Sequence, residues 1–319
     1  MPSSTHLALV GATATGKTDL AVALARRCRG VELVSVDAMA VYRGLDVGTA
    51  KPTEEQRAGI VWHMLDVVEP SEDFSVAEFQ AMGRAAIRTI EARGHVALFV
   101  GGTGLYHRAL LDDLDLPGRY PEIAARLETE ADSAGVAALH RRLAVLDPLA
   151  AARIEPGNRR RVVRALEVTL GSGRPFSASG PGLGAYRHSN TGLVGLFLER
   201  DELDRRIAER LDAQVRHGFL DEVRTLAVGG GLGRTARQAI GYRELLAHLD
   251  GRSSFDEAVA ETLRRTRAFA RRQERWFRRD PRVVWWRADE PDLAERVAEH
   301  LDGRHGSGAG PWTSLPRET

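Results

Sequence analysis

The stretch His6-Leu7-Ala8-Leu9-Val10-Gly11-Ala12-Thr13-Ala14-Thr15-Gly16-Lys17-Thr18, continuing through Asp19 to Arg27, decides the fold class. Leu7 to Val10 is a short apolar run suited to a buried strand, and Leu20, Leu24 and Ala25 then recur at helical spacing. Between them, Gly11-Ala12-Thr13-Ala14-Thr15-Gly16-Lys17-Thr18 fits the phosphate-loop pattern G-x-x-x-x-G-K-[ST]. The chemistry needs this order. The strand fixes the origin of the loop, the glycines let backbone N–H groups turn inward, and the helix presents its positive end to an anion. In that setting Lys17 reaches the outer phosphates and Thr18 ligates a magnesium ion that they carry. A glycine turn without a ligand is the bland alternative, and the strand-loop-helix context argues against it.

Working outward, Val31 to Val36 reads as a second buried strand with Asp37 at its C-terminal end. In parallel α/β sheets ligands sit at that edge, so Asp37 is a candidate for chemistry, with helix capping as its structural alternative. A glycine-punctuated loop follows through Asp46-Val47-Gly48-Thr49-Ala50-Lys51-Pro52. Trp62 to Val68 is expected to form another strand, and Ser75-Val76-Ala77-Glu78 reads as a capping box opening a helix that Gly94 ends. Val96 to Val100 would deliver Gly101-Gly102-Thr103-Gly104 to the edge that holds the phosphate loop. Strands alternating with helices predict an α/β protein, a phosphate-loop parallel sheet flanked by helices.

From Pro117 strand-like runs give way to helical periodicity, so an all-helical insertion is expected over 117–190 between core segments 1–116 and 191–302. Three helices are marked by Ile123, Leu127 and Ala131, by Leu139, Leu143 and Leu146, and by Val162, Ala165, Leu166 and Leu170. Asn158 can cap the third, which opens on Arg159, Arg160, Arg161 and Arg164. Four cations at a helix start oppose its dipole, and an external anion would relieve them. Beyond the glycine- and serine-rich Ser177 to Asn190, strand character returns at Leu193 to Leu198, and Asp201 is expected to cap a helix bearing Leu203, Ile207, Leu211 and Val215. Between Arg264 and Arg279 there are eight arginines and one acid, Glu274. On a helix Arg264, Arg267, Arg271, Arg275 and Arg278 form one row, with Leu263, Phe269, Ala270, Trp276 and Phe277 on the apolar side. With few i,i+4 acid partners in view, the row reads as a phosphate-backbone contact, with a solvated basic face as the alternative. Val283 to Trp286 can form a last strand or packing arm, Leu293 to Leu301 a last helix, and 303–319 has the composition of a disordered tail.

Composition bounds the classes. The 319 residues, 43% hydrophobic and 28% charged, suit a globular protein of one large domain or two modest ones, and a formal net charge of +1 hides the clustering of arginine. Cys28 is the only cysteine, which excludes an internal disulfide and a cysteine-rich zinc module. The first strand begins within a few residues of Met1 and no apolar run approaches a membrane span, so neither a leader nor a membrane partner is expected and the cytoplasm is the economical location. His63, His107 and His140 stand alone and read as structural.

Taken in order, Gly11 to Thr18, Asp37 with Tyr42-Arg43-Gly44, Gly48 to Pro52, Gly101-Gly102-Thr103, Arg164 to Val168, Gly241-Tyr242-Arg243, and Arg272-Gln273 with Trp276-Phe277-Arg278 make the chain resemble the tRNA dimethylallyltransferases (tRNA isopentenyltransferases) from about residue 5 to about residue 287. The resemblance implies transfer of a dimethylallyl group from its diphosphate to N6 of the adenosine on the 3′ side of the tRNA anticodon. It implies Asp37 as acceptor of the N6 proton, Thr103 as its assistant, and Lys17 and Arg237 as stabilisers of the pyrophosphate held by Gly11 to Thr18. On the RNA side it implies Asp37, Ala38, Met39, Ala40, Thr103, Arg160, Arg161, Arg164, Gly241, Tyr242, Arg243, Arg271, Arg272, Gln273, Arg275, Trp276 and Arg278. Dimethylallyl diphosphate, the tRNA anticodon stem-loop and Mg²⁺ are the implied ligands, and a monomer is expected. The chain departs from the family pattern at Ala12 and Thr15 in the phosphate loop, at Ala40, where glutamine is usual, at Val61 and Trp62, and at Ala124. Three rival readings remain: a phosphate-loop kinase of small molecules, an adenylate isopentenyltransferase acting on a free nucleotide, and a nucleotide-switched RNA-binding protein without catalysis.

Overall fold

The structure is a computed structural model and describes residues 6–179, 184–187 and 189–304. The chain forms two compact units, Met1–Leu111 with His188–Thr319, and Asp112–Arg187. The first opens with β1 (His6–Gly11), α1 (Lys17–Arg27), β2 (Val31–Ser35), α2 (Glu54–Arg57), β3 (Trp62–His63), α3 (Val76–Ala92), β4 (Val96–Val100) and α4 (Gly104–Leu111). The helical unit holds α5 (Pro121–Ala134), α6 (Val136–Leu146), α7 (Pro148–Arg153) and α8 (Arg159–Ser172). The first unit then resumes with β5 (Thr191–Phe197), α9 (Arg200–Arg216), α10 (Phe219–Val228), α11 (Tyr242–Leu249), α12 (Phe255–Phe277), β6 (Val283–Arg287) and α13 (Leu293–Arg304).

Among the described residues the sheet runs β3-β2-β4-β1-β5-β6 with every pairing parallel. Its strands are apolar on both faces because both are covered. Ala8, Val10, Val34 and Phe99 point to a core shared with Phe79 of α3, Phe219 of α10 and Tyr242 of α11. The alternate residues Leu7, Leu9, Leu33 and Leu98 point to a core shared with Leu20 and Leu24 of α1 and Val297 of α13. The strand order has a consequence for chemistry. Because β4 lies between β2 and β1, the turns that follow these three strands are neighbours at one edge of the sheet.

In the helical unit Leu127, Leu139, Leu143, Val162 and Leu166 form a separate core. Where three helices are expected from periodicity, four form, since Asp147 caps an extra one through Ala150 N–H at 3.0 Å. Leu146 and Leu170 end up exposed at the far ends of their stripes. The Ser75 capping box and the Asn158 cap form as read from the sequence. The expected cap at Asp201 does not: α9 starts at Arg200, with Glu199 preceding it and Asp201 inside the first turn. The strand expected over Trp62 to Val68 stops at His63, because Met64 and Asp66 take left-handed backbone angles of 63° and 55°. α13 runs through Arg304, past the expected tail boundary at 303, and the rest of that tail lies outside the described residues, as does part of Ser177 to Asn190.

Candidate active site

The phosphate loop leaves β1 at Gly11 and enters α1 at Lys17. Ala14 and Gly16 both adopt left-handed angles, 63° and 80°, which turn successive backbone N–H groups toward one side. Such a conformation is disfavoured at alanine, so the loop holds it against a local cost. Lys17 is buried and folds over the loop, donating to Ala12 O at 2.5 Å and lying 3.5 Å from Thr15 Oγ1. Burial, with the nearby Arg210 cation, pushes its pKa down to about 7, and Asp37 offsets part of this. A buried ammonium at the origin of a nest is a receptor for an anion.

β2 delivers Asp37, whose Oδ1 accepts Met39 N–H at 2.8 Å and Ala40 N–H at 3.2 Å. The aspartate therefore caps its own turn with one oxygen, and among the described residues Oδ2 has no partner. β4 delivers Thr103, whose hydroxyl accepts Ala38 N–H at 3.1 Å and so keeps its own proton for a ligand. The turn between Gly101 and Gly104 lies flat beneath α12. A Cβ on Gly102 would sit 2.1 Å from Gln273 Nε2, and one on Gly104 2.1 Å from the Trp276 ring, so only glycine allows this approach.

Two adjoining chambers open over these turns. The larger, about 1110 Å³, is lined by Lys17, Thr18, Asp19, Asp37, Arg206 and Arg210, among others. The smaller, about 440 Å³, has apolar walls from Met39, Ile207, Leu211, Phe219, Phe269 and Trp276, with Thr103 at its base. Asp37, Thr13, Arg210 and Gln273 line both. An anionic group and an apolar group of one ligand thus find different surroundings on either side of one carboxylate.

Arg210 is a contributor that motif reading missed. It donates to Thr13 Oγ1 and to Thr49 O, each at 3.2 Å, and burial lowers its pKa while leaving it a cation. The spacing of Arg206, Arg210 and Gln214 along α9, a polar row beside the apolar Leu203, Ile207 and Leu211, was the available signal. Gln214 and Glu222 hold the next wall. Glu222 accepts the consecutive N–H groups of Asp46, Val47 and Gly48 at 2.9, 2.7 and 3.1 Å, and Gln214 donates to Val47 O at 2.7 Å and Gly48 O at 3.0 Å.

The remaining expected site residues fall into groups. Thr18 lines the polar chamber, next to Asp19, so hard oxygen donors suited to magnesium are present beside the anion cradle. Among the described residues no group of three or more His, Cys, Asp or Glu could hold a metal ion. Arg237 is exposed on a short 3₁₀ turn, Ala236–Gln238, and is not among the side chains lining either chamber. Gly241 and Tyr242 are buried; the Tyr242 hydroxyl donates to Glu222 Oε1 at 2.5 Å, and burial with that carboxylate pushes its pKa up. Through Glu222, Tyr242 supports the Asp46–Gly48 turn, and it also lines the smaller chamber, while Arg243 is exposed. Ala40 is buried in the polar chamber wall, and Ala38 and Met39 line the apolar one.

The arginine row is only partly as expected. Arg264 pairs with Glu261 at 2.6 Å, Arg265 with Glu244, Arg267 faces Asp204 at 3.9 Å, and Arg278 pairs with Glu274 at 3.3 Å while stacking over Trp285 at 4.5 Å. The expectation of few acidic partners fails because Glu261, Glu244 and Asp204 lie outside the stretch from Arg264 to Arg279. Arg271, Arg272 and Arg275 are exposed and have no ion pair among the described residues. In the helical unit Arg159 is held by Glu128 and Asp132, and Arg164 by Glu167 and Pro117 O, whereas Arg160 and Arg161 are exposed. The three lone histidines are structural in setting: His63 meets Glu32 at 2.6 Å, His140 meets Ala151 O and Ile154 O, and buried His107 meets Gly101 O at 3.2 Å with its pKa down to about 4 by burial.

Comparison with known proteins points to one family. The IPP transferase family model matches residues 40–280, and the isopentenyl transferase model matches residues 4–67. The chain is 50% identical to a tRNA dimethylallyltransferase of Nocardioides sp. over 93% of this chain and 97% of that protein. It is 49% identical to the tRNA dimethylallyltransferase of Thermobifida fusca, covering 94% of this chain and 96% of that one. The solved structure of the full-length tRNA isopentenylpyrophosphate transferase from Bacillus halodurans is 39% identical, covers 95% of this chain and 96% of that chain, and superposes with a TM-score of 0.70.

Proposed function

Since this chain belongs to the IPP transferase family, and its relatives bear the name tRNA dimethylallyltransferase, we propose that it transfers a dimethylallyl group from dimethylallyl diphosphate to N6 of the adenosine 3′ to the anticodon in tRNA. The observation that carries this reading is the placement of Asp37 on the shared wall of the chamber that holds Lys17 and Arg210 and of the one walled by Met39, Ile207, Leu211 and Trp276.

The diphosphate lies in the phosphate loop, where Lys17 leaves Ala12 O for it and Arg210 adds a second cation. Thr18 would hold a Mg²⁺ ion carried by the diphosphate, and that ion would supply further neutralisation of the leaving group. The dimethylallyl group extends toward the apolar chamber, which excludes water from its allylic carbon. The adenine leaves its stack to reach the same wall. Asp37 Oδ2 accepts a hydrogen from the N6 amine and aims its nitrogen at C1 of the donor, while the Thr103 hydroxyl is free to donate to the base. As the C1–N6 bond forms and the C1–O bond breaks, the N6 proton passes to the Asp37 carboxylate and pyrophosphate departs. Arg271, Arg272 and Arg275 provide contacts for the phosphates of the anticodon stem-loop.

Incubation with labelled dimethylallyl diphosphate and bulk tRNA, followed by nucleoside mass spectrometry, tests the reading. Label in N6-dimethylallyladenosine is the expected result. Label on free adenosine nucleotides alone would make the protein an adenylate prenyltransferase, and no prenylated product in either pool would overturn the proposal.

A further inference from the structure

Of the polar side chains between Arg264 and Arg279, only Gln273 is buried, at 6% exposure, on a helix whose neighbouring Arg271 and Arg275 are exposed. Both ends of its amide are used. Oε1 accepts Thr13 N–H of the phosphate loop at 2.8 Å, and Nε2 donates to Gly102 O at 3.0 Å. From Gly102 the chain passes directly to Thr103, whose hydroxyl accepts Ala38 N–H beside Asp37. From Thr13 the contacts pass to Arg210. On the other side of the same turn His107 Nε2 lies 3.2 Å from Gly101 O.

We propose that Gln273 does not read RNA but is a positioning residue, a two-sided amide that sets the spacing between the leaving-group cradle and the Asp37–Thr103 pair from within the arginine helix. The inference rests on the proposed function for the identity of the reacting groups. Its physical basis is independent of the acceptor. Thr13 N–H points to Gln273, so one N–H of the loop serves the register of the loop instead of the anion. The approach is close: a Cβ at Gly102 would lie 2.1 Å from the amide nitrogen and would displace it from Gly102 O. Two loops from different strands, β1 and β4, are thereby fixed by a side chain of a third element, and a displacement of about 1 Å between reacting groups costs about 10²-fold in rate.

Gln273→Met keeps the volume and removes both bonds; Gln273→Glu keeps the length. An ionised glutamate still accepts from Thr13 N–H but sets an oxygen against Gly102 O, whereas a protonated one restores both bonds. Single-turnover prenyl transfer at saturating tRNA and donor should fall at least about tenfold in Gln273→Met, with tRNA affinity within about twofold of the parent. In Gln273→Glu the rate relative to the parent should rise as the pH is lowered from about 8 to about 6, which simple loosening of the fold would not produce. Binding of magnesium pyrophosphate, measured by calorimetry, should weaken at least about threefold in Gln273→Met. Parent-like rates in Gln273→Met, a flat pH ratio in Gln273→Glu, or RNA affinity falling as far as the rate would each overturn the inference. Should the parent transfer nothing to tRNA, the proposed function fails alone, and unchanged pyrophosphate affinity in Gln273→Met still decides against this role.

Discussion

Lys17 and Arg210 lie buried or part-buried against the phosphate loop, whereas Arg271 and Arg275 stand exposed along α12, each one helix turn from an arginine that faces an acid, Arg267 and Arg278. The two regions use cations under opposite conditions. In the loop each charge has lost water, its pKa is pushed down, and it is restored only by an anion of matching shape. On the helix solvent and salt screen each charge, so contacts are individually weak and add up. Buried cations at the phosphate loop can stabilise a departing group, while exposed ones can collect a polyanion. Under the proposed function, the first region would serve catalysis and the second capture.

That division breaks most readily at Asp37. Asp37→Asn preserves the oxygen that caps Met39 and Ala40, so the turn should survive, but the charge that takes the proton is gone. Single-turnover rates should fall by ~10²–10⁴-fold with RNA affinity nearly unchanged, and a parent-like rate would reduce Asp37 to its cap. Lys17→Ala should cost about 10²–10³-fold in the same assay. Lys17 also gives a pH signature. With its pKa near 7 in the free protein, it is largely neutral at about pH 8 and must take up a proton when pyrophosphate binds, whereas at about pH 6 it is already charged. Affinity for pyrophosphate should therefore decline as pH rises above 7. Calorimetry in buffers of different ionisation enthalpy should show about one more proton taken up by the parent than by Lys17→Ala at the higher pH, and equal uptake would mean that Lys17 stays charged in its pocket.

The same contrast explains what could be read from sequence. The loop, Asp37, Thr103 and the parallel sheet were legible because each depends on local order: a strand, a tight turn, a helix start. The ion pairing of the arginine helix was not, because Glu244 and Asp204 reach Arg265 and Arg267 from other helices, and no local pattern contains that pairing. Tyr242 in its Gly-Tyr-Arg motif and Gln273 in the arginine stretch are placed on the RNA side by the family resemblance alone; in the structure Tyr242 bonds Glu222 and Gln273 bonds Thr13, and both line the smaller chamber. Arg210 was hidden for the complementary reason: a single arginine in a helix rich in Arg and Glu becomes special only when α9 is laid across Thr13 and Thr49. The shortened strand at Trp62 was lost to two left-handed residues that apolar content does not announce.

The smallest effects lie along α12, and they sharpen the comparison most, because the helix carries its own control. Arg271 and Arg275 have no ion pair among the described residues, while Arg264 is held by both oxygens of Glu261 at 2.6 Å. A phosphate that meets Arg271 or Arg275 releases its condensed counterion to solvent, so each such contact should contribute about 0.7–0.9 to the slope of log affinity against log salt. A phosphate that approaches Arg264 must first displace a carboxylate, and the net change in bound counterions there is close to zero. Filter-binding isotherms over a range of salt should thus show the slope reduced by about 0.7–0.9 in Arg271→Ala and again in Arg275→Ala, and hardly altered in Arg264→Ala. Equal losses at all three positions would mean that the ion pairs open when RNA arrives, and the line between free and engaged arginines would then be a property of the unbound protein alone.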